Sequence, residues 1–152
     1  MLFQRINRSN PEKVFVVAYN SYATAALTNG QSATWDFVTD KDGVGITKPL
    51  ARTTNQGFGV VGIVASASIA SGDYGLIQVY GYHSATRCRT VSGGAVTIAP
   101  GVPLALAAVS AFCLENFATH FTGSHIWPCA FAMSTLTNQW TTVAKVIFVK
   151  AL

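Results

Sequence analysis

An all-β fold, an antiparallel β-sandwich or barrel with a short extended N-terminal arm, follows from three features of this 152-residue sequence. About nine or ten short runs of β-branched and aromatic residues recur at roughly ten-residue spacing, bounded by Gly, Pro, Asn or Ser. Within these runs apolar residues alternate with period two, as a pleated strand requires. No long helical pattern alternates with them, so nothing argues for a parallel sheet built on crossover helices. One all-β domain spanning residues 12–152 is expected after an arm of residues 1–11, with no linker and no internal repeat.

The arm mixes charge and apolar bulk: Arg5 and Arg8 stand beside Leu2, Phe3 and Ile6. Too short for a core of its own, it either orders only on a partner, with Phe3 and Ile6 in pockets there, or is a frayed terminus with no role. Glu12 to Tyr19 is the first strand. Both of its faces are apolar (Val14, Val16 and Ala18 against Phe15, Val17 and Tyr19), which predicts that both are covered. Tyr22 to Leu27 fits a short helix or an irregular link, and Asn29-Gly30 is a turn in either case. Ala33 to Val38 is a strand containing Trp35. Thr39 to Gly43 is a turn holding Asp40 and Asp42, close to Asp36.

Lys48 to Asn55 reads as a polar connection and Gly57 to Ala65 as a strand. The stretch Asp73 to Tyr82 is the best-defined strand. Ile77 and Val79 share one face with Gly75 and Gly81, while Leu76, Gln78, Tyr80 and Tyr82 share the other. Tyrosine joins an apolar body to a wet hydroxyl, so Leu76, Tyr80 and Tyr82 are the candidate contact residues of that outer face. Val96 to Ile98 and Pro103 to Ala107 follow as strands around a Pro100-Gly101 turn. Ala111 to Phe117 and Ala130 to Met133 come next, separated by a loop, and a turn at Asn138 leads to the last strand, Thr142 to Val149.

Composition narrows the function. Charged residues make up 11% of the chain and hydrophobic residues 50%, where ordinary soluble domains carry roughly a quarter charged residues. So few charges predict that part of the surface is hidden in an assembly. The net charge of +4 is too mild, and its arginines and lysines too scattered, for a nucleic-acid binder. The most apolar window, Ala95 to Leu114, is broken by Pro100, Gly101 and Pro103, which argues against a membrane span. Cys88, Cys113 and Cys129 are odd in number and far apart, so they read as buried free thiols of a chain made in a reducing cytoplasm.

No constellation calls for catalysis or a cofactor. Gly57, Gly59 and Gly62 match Gly-x-Gly-x-x-Gly, but the segment is itself the strand rather than a loop between strand and helix. His120, His125 and Cys129 lack a fourth ligand and a paired spacing, so no metal is expected. Asp40-x-Asp42-Gly43 lacks the further oxygen ligands of a calcium loop and fits a turn stabilised by Asx bonding. Ser124 stands outside any nucleophile-elbow pattern, so the chain is not expected to be an enzyme.

The run from Gly57 to Val64, then Gly72-Asp-Tyr-Gly-Leu-Ile-Gln-Val-Tyr-Gly-Tyr82, then Gly94 to Leu104, resembles the capsid decoration (cement) proteins of tailed bacteriophages. The resemblance spans residues 57 to 107, about a third of the chain. It implies an all-β protein on the exterior of an assembled head, commonly trimeric, that bridges neighbouring major capsid protein subunits. It implies no catalytic residues; the arm residues Phe3, Arg5, Ile6 and Arg8 are candidate contacts on their own basic and apolar mix, outside the resemblance. A tail or fibre component is the alternative, although fibre repeats are missing. A carbohydrate-binding sandwich using Trp35, Trp127, Trp140 or Tyr82 is a third reading.

Overall fold

The computed structural model describes residues 12–40, 42–49, 59–90, 97–107, 112–116, 128–137 and 141–151. The described residues form strands and turns with no helix, so the all-β expectation holds. The first strands are β1 (Lys13–Asn20), β2 (Leu27–Thr28), β3 (Ser32–Trp35), β4 (Gly45–Thr47), β5 (Val60–Val64) and β6 (Ser68–Ile69). The long β7 (Tyr74–Cys88) runs through the middle of the molecule. After it come β8 (Thr97–Ile98), β9 (Pro103–Leu106), β10 (Leu114–Asn116), β11 (Ala130–Ala132), β12 (Leu136–Thr137) and β13 (Val143–Lys150).

Pairing closes the sheet twice. In the first half the order β1-β4-β3-β5-β7 returns to its start through an antiparallel β1–β7 pair, with β1 and β4 parallel. In the second half β7-β10-β9-β11-β13 closes through an antiparallel β7–β13 pair, with β7 and β10 parallel. Even the two-stranded ribbons correspond: β2 pairs with β6, and β8 with β12. The described residues therefore form two barrel-like lobes of matching topology that share one strand, a duplication that no repeat in the sequence announces.

The register confirms the correspondence. Tyr19 pairs with Gly45 and Tyr74 in the first lobe, as Cys88 pairs with Leu114 and Val143 in the second. The turns before β3 and β9 match bond for bond. Gln31 N donates to Thr28 O at 3.1 Å and Val102 N to Ala99 O at 3.2 Å. Gly30 N donates to Val64 O, and Gly101 N to Ala132 O, at 2.9 and 2.8 Å. Gly30 and Gly101 hold φ near +81° and +87°, a left-handed conformation that side chains disfavour. These turns fall where the sequence pattern places them.

Each lobe has its own core. Ala18, Leu27, Ala33, Ile46, Val61, Val64, Ile69 and Ile77 fill the first; Leu104, Leu106, Leu114, Ala130, Ile147 and Val149 are among those filling the second. Inward residues of β7 follow the predicted alternation, since Ile77, Val79 and Gly81 are buried. Cys88, Cys113 and Cys129 are free and buried as expected. Burial pushes the Cys88 and Cys129 thiols up to about 12, which keeps them protonated and unreactive.

Several expectations need correcting. Gln78 does not face outward. It is buried, and its amide donates to the carbonyls of Tyr80 and Tyr82 at 3.2 and 3.1 Å, next to a shift in the β1–β7 register between Val14 and Phe15. Phe112 is no strand residue: it sits in the turn before β10 at φ +67°, with its carbonyl accepting from Ser32 N at 3.2 Å. Its ring meets Tyr22 edge-on, 5.9 Å between centroids, so a turn of the second lobe packs on the first. Residues 23–26 make turns rather than a helix, and the strand around Trp35 stops there, with 37–39 in a turn. Gly62, by contrast, lies inside β5 as the sequence predicts, where an added Cβ would collide with the Gln78 carbonyl, so it belongs to a sheet contact and not to a phosphate loop.

Candidate interaction face

The first strand departs furthest from expectation. Both faces of β1 are apolar, but only one is covered by the described residues. Val16 and Ala18 pack inward over Ile77 and Gly75, their register partners on β7. On the other face Phe15, Val17 and Tyr19 lie beside Leu76 and Tyr74, with Val17 63% and Tyr74 65% exposed. Phe15 and Leu76 are exposed as well. Past the register shift, Val14 pairs with Tyr80, and both remain exposed. Side chains that burial would favour by about 1.5–3 kcal/mol each are thus left in water along two adjacent strands.

The predicted contact residues fall on this face with different surroundings. Leu76 stands open at its centre. Tyr80 leans edge-on against Phe148 of β13, with centroids 5.0 Å apart. Tyr82 is half-buried beneath the Lys13 ammonium, 6.0 Å above its ring. Phe3, Arg5, Ile6 and Arg8 lie outside the described residues, as do His120, His125, Ser124, Trp127 and Trp140. Trp35 packs partly buried against the first core and offers no open platform. Phe15, Val17, Tyr19 and Tyr74 lie on the same face without being among the predicted contact residues, although Tyr74 shares the parity of Leu76 in the sequence.

At the end of the face, Tyr19 and Tyr74 meet with centroids 5.3 Å apart and planes at 57°. They form one wall of a cleft of about 530 Å³, completed by Ser21, Thr39, Asp40, Asp42 and Val44. The opposite wall is the turn between β3 and β4, built by two carboxylates. Asp36 Oδ1 accepts from the backbone N–H groups of Val38 and Thr39 at 3.1 and 3.0 Å, and Oδ2 from Ser21 Oγ at 2.6 Å and from the Thr39 hydroxyl. Asp40 accepts from Asp42 N at 3.0 Å and from Gly45 N. This is the Asx chemistry that the sequence predicts. Burial works to raise the Asp36 pKa, but the Ser21, Thr39 and Val38 hydrogen bonds outweigh it and bring it down to about 2.

The duplication supplies an internal comparison. The places of Tyr19 and Tyr74 are taken in the second lobe by Cys88 and Val143, buried and half-buried. One copy of the fold fills this position with core, while the other opens it as an aromatic cleft. Elsewhere two arginines close in sequence are engaged in structure: Arg87 Nη2 donates to Thr28 Oγ1 at 2.8 Å, and buried Arg89 to the Thr90 carbonyl at 3.3 Å. Compared with known proteins, the chain matches no protein-family model and no curated protein.

Proposed function

We propose that this protein is a structural component of a virion, binding the outer surface of an assembled phage capsid and stabilising the shell by bridging neighbouring capsid subunits. The observation that carries the reading is the apolar outer face of β1 and β7, with Val14, Phe15, Val17, Tyr74, Leu76 and Tyr80 exposed. A chain with 11% charged residues gains most by covering such a face against a partner. The resemblance of residues 57–107 to capsid decoration proteins names the partner, the major capsid protein, together with further copies of the chain itself. In this reading the protein is made in the host cytoplasm and resides on the capsid exterior, without enzymatic activity.

A bridging protein contacts more than one capsid subunit, so weak contacts add across the shell. The protein is expected to co-sediment with expanded heads and to bind isolated capsid subunits barely. Val17→Asp or Leu76→Asp is expected to abolish retention on heads while leaving the fold intact. Equal binding to heads and to free subunits would overturn the reading, and retention on tails would move the protein to the tail.

A further inference from the structure

We propose that the Tyr19–Tyr74 cleft is a receptor for a basic side chain, and that its occupant is the N-terminal segment, residues 1–11, of a second copy of this chain. The cleft joins two features that select a cation. Tyr74 presents an exposed ring for stacking, and Asp42 and Asp73 are exposed beside it. Four of the chain's six acidic residues (Asp36, Asp40, Asp42 and Asp73) gather at this end of a molecule whose net charge is +4; Lys41, in the same turn, lies outside the described residues. Apolar surface adjoins it directly, for the Val17–Leu76 pair sits two residues from the Tyr19–Tyr74 pair on the same face.

The N-terminal segment carries the complementary pattern. In an extended chain Phe3 and Arg5 share one face, and Ile6 and Arg8 the other. Either pair sets an apolar residue two positions before an arginine, about 7 Å, which is also the spacing from Leu76 to Tyr74. An arginine stacked on Tyr74 and paired with Asp42 therefore lays Phe3 or Ile6 over Leu76 and Val17.

Polarity assigns the segment to another copy. Apolar-then-arginine order over Leu76-then-Tyr74 requires the segment to run in the same direction as β1, from Val17 towards Tyr19. A chain's own segment joins β1 at Glu12, beside Lys13 at the far end from Tyr19, and folding back would make it run the opposite way. With Arg5 at the cleft it would then set Asn7, not Phe3, over Leu76. Arg8 has at most about 14 Å of backbone before Glu12, against about 23 Å to Tyr19. The inference concerns contacts between copies and stands whether or not the protein decorates a shell.

Sedimentation of full-length chains tests it without heads. The unaltered protein is expected to self-associate. A receptor variant (Tyr74→Ala with Asp42→Asn) and a donor variant (Arg5→Gln with Arg8→Gln) should each dissociate at concentrations at least about tenfold higher. Mixed one to one, the two variants should associate again, because one keeps a working segment and the other a working cleft; misfolding of either would prevent this. A monomeric unaltered protein, a variant that associates as tightly as the parent, or a mixture that stays monomeric would each overturn the proposal.

Discussion

Asp36 shows how much of the molecule's shape rests on a single carboxylate. It gathers two hydroxyls and two backbone N–H groups at the base of the turn that walls the cleft. Its pKa of about 2 lies below the ordinary 3.8, so the folded state favours the ionised form. The resulting stabilisation is present above about pH 4 and is lost as the pH falls through about 2. Acid titration of the melting temperature should show this loss between pH 4 and 2, and Asp36→Asn should flatten it while lowering stability at neutral pH. The Asx character of the turn was legible because Asp, Thr and Gly cluster there. The partner Ser21 was not, since fifteen residues of chain separate it from Asp36.

Strands β1 and β7 make the same point one level up. Alternation told which residues of β7 share a face: Ile77 and Val79 are indeed buried in the core, and Gly81 is buried against the Glu12 backbone. It could not tell whether an apolar face is covered, because that depends on what the rest of the chain brings over it. Nor could it place Gln78, whose burial arises at a register shift that period two does not encode. The faces should separate cleanly by mutation. Ile77→Ala is expected to cost about 2–5 kcal/mol. The neighbouring Leu76→Ser should change stability by no more than about 0.5 kcal/mol. Chemical denaturation of the two variants, at concentrations where copies of the chain are dissociated, measures both, and a large loss for Leu76→Ser would mean that the chain covers this face with its own residues.

At the scale of the molecule, the duplicated topology escaped the sequence because the two halves preserve pairings and turns rather than residues. Tyr19 and Cys88, or Tyr74 and Val143, occupy matching positions with nothing chemical in common. What persists is the glycine turn at Gly30 and Gly101 and the inward positions of Ile77 and Ile147, too sparse a signal to read along the chain. The lobes nevertheless should not unfold independently, since β7 supplies a strand to each and Phe112 packs against the opposite core. Ile46→Ala in one lobe and Leu104→Ala in the other should each lower a single common unfolding transition by about 2–5 kcal/mol. Two resolved transitions in calorimetry would show the lobes to be uncoupled.

The shared strand also sets an order of events during synthesis. The first lobe needs only the residues up to Gly81 to complete its pairing with β1, and these leave the ribosome before any strand of the second lobe. By the time β13 emerges, its partner is no longer a loose polypeptide but the far half of a strand already anchored at its beginning. The costly search for distant partners is thus made once with both ends free and once against a fixed template. Birth order, written into the position of one strand, predicts that the amino-terminal lobe forms first and serves as the scaffold for the carboxy-terminal lobe, which then returns Phe112 to the first core.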